Sequence, residues 1–180
     1  AAVIAESTRG VLTVAILDVG QGDSIFIESP TGVQVVVDGG PDGALLRELA
    51  LVMQPFDRSI DAIVETHPDA DHIAGFVDLL ERYEVQAFIE PGIPKSTLTW
   101  GALQAKVAEQ NIPHLIARRG MLLELGGGVT LEVLYPDTDV SGLSLDKANE
   151  GGVVMKLPYG EATMLFMPDV YSKIQTHLSK

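Results

Sequence analysis

Ile60-Asp61-Ala62-Ile63-Val64-Glu65-Thr66-His67-Pro68-Asp69-Ala70-Asp71-His72 is the stretch from which the rest of the chain is read. Its first part, residues 60–66, is apolar and β-branched and predicts a strand. Its second part packs four potential metal ligands, His67, Asp69, Asp71 and His72, into six positions. Two imidazoles and two carboxylates this close carry a repulsion and desolvation cost that a core tolerates only with compensation. A divalent cation compensates most simply, because imidazole and carboxylate together suit zinc, manganese or iron. A solvated polar loop after a strand is the plainer alternative. The spacing and the preceding strand favour the metal.

The spacing also has mechanical content. His67 and Asp69 alternate on an extended segment, so both side chains can face one side. Asp71 and His72 are consecutive and can reach a second point displaced from the first. One loop can therefore serve two cations, and metals about 3.5–4 Å apart are the arrangement that clamps the oxygens of a scissile ester. Residues 73–82 read as a helix with apolar positions at 73, 76, 77, 79 and 80. Its N-terminus is expected beside the loop, where backbone donors favour anions.

Four further segments extend the pattern: Leu17-Asp18-Val19-Gly20-Gln21-Gly22-Asp23-Ser24, Val35-Val36-Val37-Asp38-Gly39-Gly40, Asn149-Glu150-Gly151-Gly152-Val153-Val154-Met155-Lys156-Leu157, and Met167-Pro168-Asp169. Together with His67-x-Asp69-x-Asp71-His72, and in this order, they resemble the motifs of the metallo-β-lactamase fold superfamily. The Asp at the third place of the central motif resembles one branch, the hydrolase domain of ComEC-type competence proteins and its stand-alone relatives.

That resemblance implies an α/β fold, an αββα sandwich with its second half truncated. It implies a metal-dependent hydrolase, nuclease-like or phosphodiesterase-like, holding up to two ions of Zn2+ or Mn2+. His67 and Asp69 would serve the first ion, Asp71 and His72 the second, and Asp169 would bridge them, with Asp71 also orienting or deprotonating the attacking water. Asp38 would support the loop from behind, and Asp18, Gln21, Asp23 and Asn149 would line the site. The implied substrate is a phosphodiester, single-stranded DNA included. The implied setting is extracytoplasmic or membrane-associated in a bacterium, with a membrane tether in the longer protein. Two alternatives stand beside it: a binding or structural module that has lost catalysis, and a hydrolase of lactams, thioesters or lactones. Both Asp38-Gly39-Gly40 and Pro168-Asp169 are also ordinary turn chemistry.

The chain departs from the family in several places. The family's later H-H-G-S motif is not present, and no His-His pair occurs in the sequence. Gly151 and Gly152 stand where the family has Asn and Ser, and Met167-Pro168 replaces Thr-Gly before Asp169. His177 falls too early to replace the missing ligand and reads as a surface helix residue. The chain reads as a fragment of a longer protein or as a shortened relative with a depleted site.

Composition narrows the classes. A chain of 180 residues with nearly half its residues apolar can bury a sizeable single core. We read residues 1–10 as an N-terminal stub, such as follows a membrane or signal segment, and 11–180 as the hydrolase-like domain. There are no cysteines, so disulfides and thiolate zinc sites are excluded. The formal charge of −13, with Lys95, Arg118 and Arg119 scattered, shows no basic stripe of the kind that grips nucleic acid. This favours a small or weakly held phosphoester, or nucleic acid held by other domains.

Strands are expected at 11–17, 24–28, 33–38, 60–66, 85–90, 121–125, 129–135, 153–157 and 164–166. Helices are expected at 44–53, 73–82 and 97–110, the last capped by Ser96 or Thr97. A long polar loop is expected at 136–152. His114 reads as a strand-edge or surface residue, and Tyr83 and Trp100 as packing residues.

Overall fold

The computed structural model describes residues 10–143, 145–169 and 172–178. Nine of the ten residues read as an N-terminal stub lie outside that range. Strands β1 (Thr13–Ile16), β2 (Ile25–Glu28) and β3 (Gln34–Val37) lead into helix α1 (Ala44–Val52). Then come β4 (Ser59–Ile60), β5 (Ala62–Val64), α2 (Ala70–Leu79), β6 (Glu84–Val85), β7 (Phe88–Glu90), α3 (Leu98–Glu109) and β8 (His114–Ile116). The remainder is β9 (Leu122–Gly126), β10 (Val129–Tyr135), a 3-10 segment (Leu145–Gly151), β11 (Val154–Tyr159), β12 (Ala162–Phe166) and α4 (Ser172–Leu178).

One sheet runs β1-β2-β3-β5-β7-β8, antiparallel as far as β3 and parallel beyond it. A second, antiparallel sheet runs β12-β11-β10-β9. The central strands of the first sheet are apolar throughout because both of their faces are covered. Val36, Ile63 and Phe88 face α1, α2 and α3, joining Leu45, Leu49, Ile73, Phe76 and Leu103 in one core. Val35, Val37, Val64 and Ile89 face the other way, against Leu131, Val133, Met155 and Leu157 of the second sheet. On that sheet's outer face Val154 and Tyr135 pack against Ile174 of α4. The layers are therefore helix, sheet, sheet, helix, as expected for an αββα sandwich.

Several boundaries differ from expectation. The 60–66 strand is interrupted at Asp61, whose carboxylate accepts the Gln34 amide at 2.8 Å. β4 consequently pairs with β6 in a separate two-stranded sheet, and only β5 joins the main one. The 85–90 strand divides in the same way. Helix α2 begins at Ala70 rather than Ile73, because extended Asp69 (φ −79°, ψ 142°) serves as its N-cap and its carbonyl accepts the amides of His72 and Ile73. Helix α3 is capped by Thr97, whose side chain accepts the Trp100 amide. The 136–152 stretch contains the 3-10 segment rather than loop alone. Among the described residues no helix is long and apolar enough to cross a membrane.

Candidate metal centre

The site forms where the ends of β3 and β5 meet the start of α2. Asp38, directly after β3, has φ 56°, a left-handed backbone that a residue with a Cβ rarely adopts. That strain is held by the chain packed around it. Gly39 N donates to the His72 carbonyl at 2.6 Å and Gly75 N to the Gly40 carbonyl at 3.1 Å. A Cβ on Gly75 would lie 2.0 Å from the Gly39 carbonyl oxygen, so only glycine lets α2 approach this turn. On the other side, a Cβ on Gly22 would lie 1.8 Å from the Asp71 carbonyl oxygen. The loop between β1 and β2 is thereby pressed against the start of α2.

Asp38 is buried and takes three donors: the Thr66 amide (2.8 Å), the Thr66 hydroxyl (2.6 Å) and His72 Nδ1 (2.8 Å). These contacts fix both imidazoles. Thr66 has one hydroxyl hydrogen, and Asp38 takes it, so Thr66 Oγ1 must accept from His67 Nδ1, 3.0 Å away. His67 therefore carries its proton on Nδ1 and a lone pair on Nε2. His72, donating from Nδ1 to Asp38, likewise presents Nε2 outward. His67 Nε2 is buried with no hydrogen-bond partner. A carboxylate orienting a histidine from behind is the arrangement found behind metal ligands.

The open faces of the rings meet acidic oxygens. The ring centroids of His67 and His72 lie 4.0 Å apart. His67 Nε2 is 3.8 Å from Asp69 Oδ2, and His72 Nε2 is 4.0 Å from Asp169 Oδ2. These spans are too long for hydrogen bonds, yet they suit two atoms sharing an ion about 2.0–2.2 Å from each. Asp23, His72 and Asp169 form one donor group within 4.8 Å of one another, and Asp38, His67 and His72 form another. Because the Asp38 oxygens are already occupied by three donors, we assign Asp38 to orienting the rings. A pocket of about 20 Å³ lies between Asp23, Asp38, Thr66, Met167 and Pro168. The donors present thus fit a divalent metal.

In the metal-free chain the two imidazoles are shifted in opposite directions. Burial, together with His72, holds the His67 imidazole below its ordinary value, which keeps it neutral. Burial also opposes a charge on His72, but the hydrogen bond and charge of Asp38, with Asp71 and Asp23, prevail and raise its value. Asp23 is raised by partial burial and by Asp38 and Asp169, against the pull of His72.

The residues expected at the site divide into two sets. His67, Asp69, His72 and Asp169 converge, with Asp38 behind them. Asp23, expected only as a lining residue, joins His72 and Asp169. Asp69 and Asp71 both lie outside the two donor groups: Asp69 Oδ2 stays 3.8 Å from His67 Nε2, whereas Asp71 Oδ2 accepts Gln21 Nε2 at 3.3 Å. The early start of α2 explains the position of Asp71, since consecutive helical residues diverge by about 100°. Asp18 is exposed on the neighbouring loop. Asn149 sits in the 3-10 segment, which ends at Gly151; beyond it the Val153 amide donates to the Thr66 carbonyl at 2.9 Å. The side chain of His177 is not among those described.

Two residues were not anticipated. Lys95, on the loop between β7 and α3, is ion-paired with Asp69 Oδ1. Glu65, one position before Thr66, is fully buried with both carboxylate oxygens unpartnered. Its burial, and then Glu90 and Asp38, raise its carboxyl well above the ordinary 4.5, with Lys95 opposing. A carboxyl raised on folding favours the native state only while protonated in both states, and that advantage is lost as pH rises above the unfolded value. Glu65→Gln is accordingly expected to match the wild type near pH 4.5 and to exceed it by about 1–3 kcal/mol at pH 8 in the metal-free chain. Urea denaturation at the two pH values checks this, and an equal difference at both would count against a neutral Glu65.

A family model described as the metallo-beta-lactamase superfamily matches residues 17–162, more than half of the chain. A search of curated proteins finds no significant match. Solved structures share the fold at low identity. A HARLDQ-motif mutant of a metallo-beta-lactamase from Cronobacter sakazakii aligns with TM-score 0.56 and 17% identity over 85% of this chain and 60% of its own. The metallo-beta-lactamase fold protein YhfI from Bacillus subtilis gives 0.55 and 17% over 87% and 61%. Zn2+-bound PqqB from Methylobacterium extorquens gives 0.54 and 16% over 81% and 52%. The chain thus spans between half and two thirds of the length of these structures, and at such identities the likeness concerns the fold alone.

Proposed function

The chain belongs to the metallo-beta-lactamase superfamily, and from that premise we propose that it is a metal-dependent hydrolase of phosphodiester bonds, related to the ComEC-type hydrolase domain. One observation carries the reading: the buried Nε2 lone pair of His67, without a protein partner, faces Asp69 beside the outward Nε2 of His72. His67 and Asp69 would hold one ion, and His72, Asp169 and Asp23 the other. Bound divalent cations would supply Lewis acidity toward a phosphoryl oxygen and acidify water at neutral pH.

The chain's own residues do the rest. Asp38 and Thr66 hold both imidazoles with Nδ1 turned inward, so neither ring has to turn when the Nε2 atoms are used. Asp71 is held at Oδ2 by Gln21, which leaves its other oxygen to take the proton of an attacking water. A groove of about 490 Å³ between the edges of β1 and β12 opens at Asp23, with Ile16, Ile25, Leu165 and Met167 among its walls. With a net charge of −13, the chain suits a short or weakly held phosphoester better than long nucleic acid gripped without help.

The test is divalent-dependent cleavage of bis-(p-nitrophenyl) phosphate and of single-stranded DNA. His67→Ala and Asp71→Ala are each expected to lower turnover at least about 100-fold while the circular dichroism spectrum stays unchanged. Equal turnover by the variants would defeat the reading. Position 151 favours the second reading, a module that binds without catalysing. A Cβ there would meet Ile93 at 2.7 Å and Leu143 at 2.8 Å, so this segment packs against the fold at a position where the family carries a polar side chain. Metal uptake with no cleavage of any diester, lactone or thioester would select it.

A further inference from the structure

Lys95 reaches the loop that carries His67 and Asp69 from the turn after β7. Its ammonium pairs with Asp69 Oδ1, and its side chain is 15% exposed. The remaining oxygen of Asp69 is the one that faces His67 Nε2. The group of Asp23, His72 and Asp169 has no such neighbour: the ion pairs of His72 and Asp169 among the described residues involve only each other and Asp38.

Building on the metal-centre reading above, we propose that Lys95 is a resident counter-cation that makes the two ion positions unequal. The His67–Asp69 position takes its ion more weakly than the His72–Asp169–Asp23 position, because a divalent ion entering there must share Asp69 with an ammonium. Two cations of this kind a few ångströms apart repel strongly even at an effective dielectric near 20, enough to weaken binding at least about tenfold. The ammonium also draws electron density from the carboxylate and leaves it one oxygen to offer. An ordinary supporting partner behaves in the opposite way, since removing it loosens the metal about 10–100-fold. The sign of the change therefore separates the two roles.

The experiment is a Zn2+ and Mn2+ titration of the full 180-residue chain against a competing chromophoric chelator. It compares the wild type with Lys95→Met, Lys95→Gln and Lys95→Arg, each checked for folding by thermal melting. The wild type is expected to show two unequal steps. Both uncharged variants are expected to tighten the weaker step at least about tenfold and to leave the stronger one within about threefold, while Lys95→Arg keeps the wild-type values. The glutamine variant retains a hydrogen-bond donor, so it tests charge apart from contact and stands in if the methionine variant fails to fold. A weaker step that is unchanged or loosened in the uncharged variants overturns the proposal and leaves the metal centre standing. A wild-type chain that takes up no ion defeats the metal reading and this inference with it.

Discussion

Gly75→Ala is expected to destabilise the chain by about 3–5 kcal/mol, although it replaces a glycine inside a helix. Helix propensity alone would make alanine better by about 1 kcal/mol. The added Cβ at this position would lie 2.0 Å from the Gly39 carbonyl oxygen and 2.8 Å from that of Asp42. Both obstacles are backbone, so relief requires α2 to withdraw from the turn that carries Asp38, and the hydrogen bond from Gly75 N to the Gly40 carbonyl is lost with it. Gly101 in α3 supplies the control, because nothing lies within 4 Å of its would-be Cβ. Gly101→Ala is expected to be neutral or to gain up to about 1 kcal/mol. Urea denaturation followed by circular dichroism compares the two, and a Gly75→Ala chain as stable as the wild type would show that α2 does not rest on this turn.

Asp38→Ala is the second large effect. It strips a partner from the Thr66 amide, the Thr66 hydroxyl and His72 Nδ1 at once, all in a buried setting. The loss is expected to cost about 3–5 kcal/mol, since removing one side of a buried charged hydrogen-bond network leaves the other side unpaired. Alanine would also have to sit at φ 56° without the side chain that anchors this turn. Metal affinity is expected to fall by at least about 10–100-fold, because neither imidazole keeps its tautomer. Asp38→Asn separates the effects: its amide retains hydrogen-bonding capacity for the fold but cannot accept from every donor. It should recover much of the stability and little of the metal affinity. A variant with wild-type affinity would place Asp38 outside the site's machinery.

Much of this candidate site was readable in the sequence because the side chains proposed as ligands are local. His67, Asp69 and His72 lie within six residues, and Asp38 and Asp169 follow recognisable strands. The apolar runs that define β3, β5, β10 and β11 were equally plain. The misplacements have particular causes. Periodicity gave the apolar face of α2 correctly but not its first residue, which depends on the backbone of Asp69; Asp71 then falls outside the donor group that Asp23 forms with His72 and Asp169. Asp61 looked like one polar residue in a strand, yet its bond to Gln34 divides the strand in two. Lys95 is 26 residues from Asp69, and only the parallel pairing of β5 with β7 brings its loop near. Glu65 is a charge within an otherwise largely apolar run. Its neighbour Glu90 emerges only from that same register, in which Val64 pairs with Ile89.

The most direct measurement is an anomalous-scattering map from crystals grown with Mn2+ or Zn2+. The account predicts a peak bonded to His67 Nε2 and Asp69 Oδ2 and a second bonded to His72 Nε2 and Asp169. Saturating metal with both Nε2 atoms left uncoordinated would contradict it.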